Sequence, residues 1–160
     1  MEALDFEGWY RREHPVLLAS MVLVSGQPEL AREAVDEALT RALERWERVS
    51  AMSSPGGWTY KVALHCLRRR SRRAALERRL LGRLHRHGAV APPAGEAWEV
   101  VRSLPARQRA VVVLRYVADL SQAEIAAVLG ITRSTVSSTL TDAHRALAPL
   151  LGDPPEEADT

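Results

Sequence analysis

Cysteine is nearly absent from this chain of 160 residues, which contains Cys66 and no other. A single cysteine excludes an internal disulfide framework of the kind that holds small secreted domains together. No apolar run approaches the roughly 20 residues needed to span a bilayer, and the N-terminus lacks the apolar segment of a secretory signal. We therefore expect a cytoplasmic protein that has no membrane partner.

Groups that carry catalysis or bind metals are also scarce. The sequence has no Gly-rich phosphate loop, no nucleophile elbow and no set of residues that indicates a catalytic triad. The pairs His85 with His87 and His65 with Cys66 supply too few ligands for a zinc site. We expect no enzyme activity, no metal site and no other cofactor.

Strand patterns are missing as well, because no segment shows sustained alternation of β-branched and polar residues. Apolar residues recur at helical spacing instead and make up 46% of the chain, which is enough for packed cores. We expect an all-α protein with two small helical domains, a three-helix bundle in residues 1–86 and a helix-turn-helix domain in residues 96–151. Residues 87–95, with two Gly and two adjacent Pro, are expected to be a flexible linker, and the acidic tail 152–160 to be disordered.

Helix boundaries in the N-terminal domain can be predicted from caps and prolines. The first helix is expected over about 5–25, and Pro28 is well placed to start the second. The apolar stripe of the second helix should include Trp46. Ser54 is expected to cap a long helix over about 58–84.

Positive charge is concentrated in one segment, although the formal net charge is only +2. Residues 61–87 have a balance of +9, whereas residues 1–60 and 88–160 have balances of −4 and −3. Of the 22 basic residues, 21 are Arg, whose planar guanidinium makes bidentate contacts with phosphates and bases. A general bias toward Arg explains its use in place of Lys, but it does not explain why the charge lies in one segment.

The segment 120–147 has the features of a helix-turn-helix. Ser121 and Glu124 have the spacing of a capping box, which satisfies two free amides at a helix start. Gly130 can take the positive φ that ends this helix, and Thr132 can cap the next one. A generic helical hairpin is the alternative, but these signals coincide within one short window. The predicted buried positions of the second helix are Val136, Leu140, Ala143 and Leu147.

Both halves of the chain resemble the small bacterial RNA polymerase sigma factors of the extracytoplasmic-function group, which is group IV of the sigma-70 family. Residues 31–42 are similar to region 2.2 of that family, and residues 55–73 are similar to regions 2.3 and 2.4. The C-terminal half resembles region 4 in residues 104–109, 114–116, 120–121, 124–126, 129–131 and 135–136.

The resemblance implies binding to core RNA polymerase and to promoter DNA. In the family, region 2.2 docks on the clamp helices of the largest subunit, regions 2.3 and 2.4 open and read the −10 element, and region 4 reads the −35 element. The flap of the second-largest subunit is a further implied partner. Many members are also held inactive by an anti-sigma factor, and nothing in this sequence identifies one. The family's pocket for a flipped −10 base falls on residues 49–54 here.

Three sets of contact residues follow from the resemblance, and the second also has the cations and rings that melted DNA requires. The polymerase set consists of Glu33, Asp36, Glu37 and Arg41. The −10 set consists of Tyr60, Lys61, His65, Arg68, Arg69, Arg72 and Arg73. The −35 set consists of Arg133, Ser134, Thr135, Ser138, Thr141 and Arg145.

The predicted recognition helix departs from the family, because residues 137–142 contain Ser, Thr and Asp where Lys or Arg is common. Fewer cations mean fewer phosphate contacts. Two alternatives therefore stay open: a helix-turn-helix regulator that acts without core polymerase, and a sigma-like adaptor that binds proteins without reading promoters. A core-binding assay distinguishes the first alternative from a sigma factor. Substitution of Arg133 and Arg145 distinguishes the second.

Overall fold

The computed structural model describes residues 5–81 and 95–151, and these residues form eight helices and no strand. The predicted all-α class is confirmed. No helix among the described residues is long and apolar enough to cross a membrane. Apart from Gly95, the predicted linker lies outside the described residues, as do the tail and the predicted end of the long helix. The helices are α1 (Phe6–Ser25), α2 (Pro28–Glu44), α3 (Trp46–Ser50), α4 (Pro55–Leu81), α5 (Glu96–Ser103), α6 (Ala106–Tyr116), α7 (Gln122–Leu129) and α8 (Arg133–Leu151).

The N-terminal domain is a bundle of α1, α2 and α4, in which α2 packs against both of the others. Helices α1 and α2 begin where expected, since the Asp5 carboxylate accepts a hydrogen bond from the Gly8 amide at 3.2 Å and Pro28 is the first residue of α2. Helix α4 begins at Pro55, three residues before the expected start, because Ser54 caps it directly. Small side chains on α2 allow the neighbouring helices to approach closely. The fully buried alanines of this helix are Ala31, Ala34, Ala38 and Ala42.

The prediction that Trp46 lies on the apolar stripe of α2 is wrong. The backbone leaves the helical conformation at Arg45, where φ is −120°, and Trp46 begins the separate short helix α3. The Trp46 ring packs against Phe6 and Trp9, with centroid distances of 5.2 and 4.9 Å. The position of Trp46 is therefore determined by aromatic packing and not by the helical periodicity of α2.

The C-terminal domain contains the predicted helix-turn-helix in α7 and α8. The capping box of Ser121 and Glu124 is formed on both sides, and Gly130 has a φ of 67° at the end of α7. The Thr132 hydroxyl accepts a hydrogen bond from the Thr135 amide at 3.1 Å and so caps α8 as predicted. Three of the four predicted core positions of α8, Val136, Leu140 and Ala143, are buried, and Leu147 is partly buried.

The two domains pack against each other. Helix α7 lies on α4, α6 lies on α1, and buried side chains of both domains form one continuous hydrophobic cluster. Two polar contacts cross this boundary: the Ser54 hydroxyl donates to the Glu124 carboxylate at 2.7 Å, and the Arg109 guanidinium donates to the Val24 carbonyl at 3.5 Å. No local sequence pattern predicts these contacts.

Candidate nucleic-acid interface

The solvent face of α4 carries a row of basic side chains. Lys61, His65, Arg68 and Arg72 follow one another at intervals of four, three and four residues, which places them along one side of the helix. All four are exposed. We call this row the basic strip. Arg69 and Arg73, the other two cations of the predicted −10 set, are also exposed.

Tyr60 lies in the core of the N-terminal domain and not on the basic strip. Its side chain is 2% exposed, and its hydroxyl lies 3.5 Å from the Ser20 hydroxyl. Burial raises the pKa of Tyr60 to about 12. In this arrangement the ring has no free face on which an unpaired base could stack. Trp58 is partly buried and also packs against the core.

A cluster of charges joins α2 to α4. Both carboxylate oxygens of Glu37 accept hydrogen bonds from Arg69 at 2.9 Å, and Arg70 and Arg41 donate to the same carboxylate at 2.9 and 2.6 Å. Arg70 also pairs with Glu33 at 2.7 Å. We call these five residues the ion-pair cluster.

The ion-pair cluster joins residues that the sequence assigned to different partners. Glu37 and Arg41 belong to the polymerase set and Arg69 to the −10 set, yet here they bind one another. Burial raises the pKa of Glu37, but hydrogen bonds from Arg70 and Arg69 outweigh it, so the pKa lies below its usual value. The sequence prediction missed Arg70, which lies four residues after the buried Cys66 and therefore faces α2.

The start of α4 is held by Ser54. Its hydroxyl accepts a hydrogen bond from the Gly57 amide at 3.0 Å while donating to Glu124 of α7. A Cβ at position 57 would lie 2.7 Å from the Ser54 hydroxyl oxygen, so glycine leaves room for this cap. The hydrogen bond from Ser54, followed by that from the Ser121 amide, holds the pKa of Glu124 below its usual value. The predicted base pocket, residues 49–54, therefore ends at a contact between the two domains.

The predicted −35 set lies on the outer face of α8, where five of its six residues are exposed and Thr135 is half-buried. Several hydroxyls on this face donate to their own helix: Ser138 to the Thr135 carbonyl and Thr141 to the Ser137 carbonyl, both at 3.1 Å. Arg145 pairs with Asp142 at 3.3 Å. Within residues 5–81 and 95–151, Arg133 has no acidic partner within 4 Å and is the freer cation of the two.

A groove of about 560 Å³ opens between the two domains. Arg68 and Arg72 of the basic strip line one side and Arg107 of α6 lines the other, so two predicted −10 residues face the C-terminal domain. The apolar lining of the groove consists of Val24, Leu64, Leu67, Ala106, Ala110, Leu129 and Ile131.

Among the residues that the structure describes, no group of three or more His, Cys, Asp and Glu side chains could hold a metal ion.

This chain is similar to known proteins over both of its domains. Residues 94–147 match the family model for sigma-70, region 4. The RNA polymerase sigma-E factor of Streptomyces coelicolor is 32% identical over 154 residues, which cover 93% of this chain and 85% of that protein. The RNA polymerase sigma-E factor of Streptomyces avermitilis is 30% identical over 154 residues, with coverage of 93% and 84%.

A solved structure shows the same fold. It contains the sigma factor RpoE in complex with the anti-sigma factor NepR, from Bartonella quintana, and superposes with a TM-score of 0.72. The match covers 92% of this chain and 96% of the other at 19% sequence identity, so the likeness is one of architecture.

Proposed function

The chain belongs to the extracytoplasmic-function sigma factors of the sigma-70 family, and on this basis we propose that it binds core RNA polymerase and directs transcription initiation from promoters with −10 and −35 elements. The observation that carries the proposal is the 154-residue similarity to sigma-E factors, because it spans both domains and not the helix-turn-helix alone. The chain itself supplies no catalytic group in this proposal and acts in the cytoplasm, where the polymerase is.

The two domains contribute unequally to DNA binding in this proposal. The basic strip presents Lys61, Arg68 and Arg72, whereas the −35 face presents Arg133 and an Arg145 that is paired with Asp142. Each phosphate contact releases counterions and contributes to affinity, so most of the electrostatic binding comes from α4. Helix α8 then orients the complex on the −35 element through its small hydroxyl side chains, which allow the backbone to approach the groove closely.

The polymerase face is best represented by Asp36, which is exposed on α2 and lies outside the ion-pair cluster. Glu33 is exposed as well and pairs with Arg70 at the edge of the cluster. Glu37 and Arg41 are engaged in the ion-pair cluster, so we assign them the role of fixing α2 against α4. In this view the cluster presents the polymerase face and the basic strip in one fixed geometry. Its disruption would affect both functions together.

Run-off transcription with purified core polymerase tests the proposal. The wild-type chain is expected to give a product from a cognate promoter. The double variant Lys61→Ala, Arg68→Ala should reduce that product about tenfold through lost phosphate contacts. Arg102→Ala removes a cation from α5, outside both predicted DNA faces, and is the matched control. The absence of product from every promoter of the host genome, or equal activity of the double variant and the control, would contradict the proposal.

One alternative has a specific observation in its favour. The −35 face offers few cations, and its hydroxyls donate to their own helix, which suits an adaptor that binds polymerase without reading promoters. Core binding by pull-down together with run-off transcription distinguishes the two functions. An adaptor would bind core and give no promoter-dependent product, and a sigma factor would do both.

We also propose an anti-sigma factor as a regulatory partner, because the Bartonella protein of the same fold was crystallised with one. The chain isolated from its host under mild conditions should then be an inactive complex that gains run-off activity once the second protein is removed. A chain that is isolated alone and fully active, in cells where its promoters are silent, would contradict this partner.

A further inference from the structure

The side chains of Ser54 and Glu124 connect the N-termini of two helices that belong to different domains. Ser54 is the N-cap of α4, since its hydroxyl oxygen accepts from the Gly57 amide at 3.0 Å, and Glu124 is the third residue of α7. The Ser54 hydroxyl donates to one oxygen of Glu124 at 2.7 Å, while the other oxygen accepts from the Ser121 amide at 2.8 Å. We call the bond from Ser54 to Glu124 the interdomain latch.

The interdomain latch is the shorter of the two polar contacts described above between the domains, at 2.7 Å against 3.5 Å for the contact of Arg109 with the Val24 carbonyl. Beside it, α7 packs on α4 and α6 packs on α1. An ionised acceptor makes a hydrogen bond short and strong, and directional polar contacts fix one register between surfaces that apolar packing alone would hold loosely. The latch therefore selects this one docked arrangement. It lies at the end of residues 49–54, the segment that the family resemblance assigns to a flipped base.

The closed arrangement is too small to reach both promoter elements. Elements centred near −10 and −35 are about 25 base pairs apart, which is about 85 Å along B-DNA. A compact chain of 160 residues has a radius of gyration of about 15 Å, which corresponds to a diameter of about 40 Å. The basic strip and the −35 face cannot then contact their elements at the same time while the domains stay docked.

We propose that the hydrogen bond between Ser54 and Glu124 holds the two domains in a closed form that cannot read a complete promoter. Promoter binding then requires α7 to leave α4, and a ligand that separates the domains activates the chain by population shift. The consequence for promoters rests on the proposed function above. The latch itself is a property of the free chain.

Three variants separate the interdomain latch from the helix caps that share its residues. Ser54→Asp keeps an effective N-cap on α4 but replaces the donated hydrogen bond with repulsion between two carboxylates. Adding Glu124→Gln to Ser54→Asp restores a bond, because the glutamine amide donates to the new carboxylate while its oxygen accepts from the Ser121 amide. Ser121→Ala removes a cap bond from α7 and leaves the bond from Ser54 in place, so it is the matched control.

Small-angle X-ray scattering and hydrogen exchange on the full chain measure the opening. The wild-type chain and Ser121→Ala should both show a radius of gyration near 15 Å. Ser54→Asp should lower the closed-to-open ratio at least tenfold, which raises the radius of gyration and accelerates amide exchange in α7. The double variant should return both measurements toward the wild type.

The proposal is overturned if Ser54→Asp scatters and exchanges like the wild type, if Ser121→Ala opens the chain as much, or if the wild-type chain is already extended. None of these measurements uses DNA or polymerase. If the chain gives no run-off product but its variants open in this pattern, the proposed function is contradicted and the latch is not. A chain that transcribes but is unaffected by Ser54→Asp would contradict the latch alone.

Discussion

Arg69 on α4 donates to both carboxylate oxygens of Glu37 on α2, each at 2.9 Å. This contact joins a residue that the family resemblance assigns to the −10 element with one that it assigns to polymerase. Arg70 and Arg41 donate to the same carboxylate, so three guanidinium groups surround one anion. Glu37 therefore joins α2 to α4 through two arginines of α4, Arg69 and Arg70.

Replacing Glu37 with Gln should lower the free energy of unfolding by about 1–2 kcal/mol, because a neutral amide leaves the half-buried Arg41 and Arg70 and the exposed Arg69 without this anion. Denaturation in urea at neutral pH measures the loss. Glu29→Gln on the same helix breaks only the exposed pair with Arg32 and should change stability by less than about 0.5 kcal/mol. Equal losses in the two variants would mean that the cluster contributes no more than a surface pair.

The lowered pKa of Glu37 predicts that the free energy of unfolding depends on pH. The pKa of Glu37 in the folded chain lies below its ordinary value of 4.5, so the unfolded chain takes up the proton first as the pH falls. Its contribution is therefore complete above pH 4.5 and is lost as the pH falls through the folded-state pKa. Thermal unfolding between pH 6 and pH 3 should show a shallower decline for Glu37→Gln than for the wild type.

Variants of the arginines provide the control for this pH dependence. Arg70→Met removes the principal hydrogen bond that lowers the pKa of Glu37, so it should also make the decline shallower. Arg32→Met leaves the ion-pair cluster intact and should retain the wild-type slope. If Glu37→Gln and the wild type decline in parallel, the cluster does not hold Glu37 ionised.

The positions of Tyr60 and Lys61 predict opposite effects of substitution. Tyr60→Phe removes a buried hydroxyl whose nearest partner is 3.5 Å away, so it should cost less than about 1 kcal/mol of stability and leave affinity for a −10 single strand unchanged. Lys61→Ala should change stability by less than about 0.5 kcal/mol but weaken binding and reduce the salt slope by about 0.7. Fluorescence anisotropy at several salt concentrations measures the affinity of each variant and its salt slope. A loss of affinity in Tyr60→Phe equal to that in Lys61→Ala would show that the ring reaches DNA.

The features that could be predicted from the sequence depend on residues close together in the chain. The capping box of Ser121 and Glu124 and the glycine end of α7 are each determined within one or two helical turns, and the structure has both. The fold class follows from helical periodicity in the same way. Such local signals need no knowledge of how the helices are arranged in space.

The features that could not be predicted connect distant parts of the chain. Glu37 and Arg69 are 32 residues apart and Ser54 and Glu124 are 70 apart, so their contacts depend on helix crossing angles that no short motif specifies. Tyr60 differs, because a signal was available. Residues 60, 64 and 67 are buried at helical spacing, and this periodicity indicated a core position despite the basic residues around it.

A side chain at position 130 should destabilise the turn of the helix-turn-helix. Gly130 has a φ of 67°, where an L-residue costs about 1–2 kcal/mol, although no atom lies near enough to contact a Cβ. Gly130→Ala should lose about that much stability. Gly8→Ala in the first turn of α1, where a Cβ meets its neighbours at 3.7 Å, should gain about 0.5–1 kcal/mol instead. Thermal denaturation of the two variants measures both changes in stability. If Gly8→Ala also destabilises the chain, the loss in Gly130→Ala cannot be attributed to the positive φ of Gly130.

Asp142 is expected to weaken binding of the −35 element. Its carboxylate pairs with Arg145 at 3.3 Å and adds a negative charge to the outer face of α8, where phosphates would approach. Asp142→Asn should therefore increase affinity for a −35 duplex roughly threefold and steepen the salt slope by about 0.9, because Arg145 becomes available for one more phosphate contact. Anisotropy titrations between low and moderate salt measure both quantities.

Glu99→Gln is the matched control for this prediction, because it changes the net charge equally and releases Arg102 from a comparable exposed pair on α5. Its effect should be limited to the general gain in net charge, with a salt slope like that of the wild type. If Glu99→Gln and Asp142→Asn raise affinity and steepen the slope to the same degree, the gain is due to net charge alone. In that case the outer face of α8 would not be where the −35 phosphates bind.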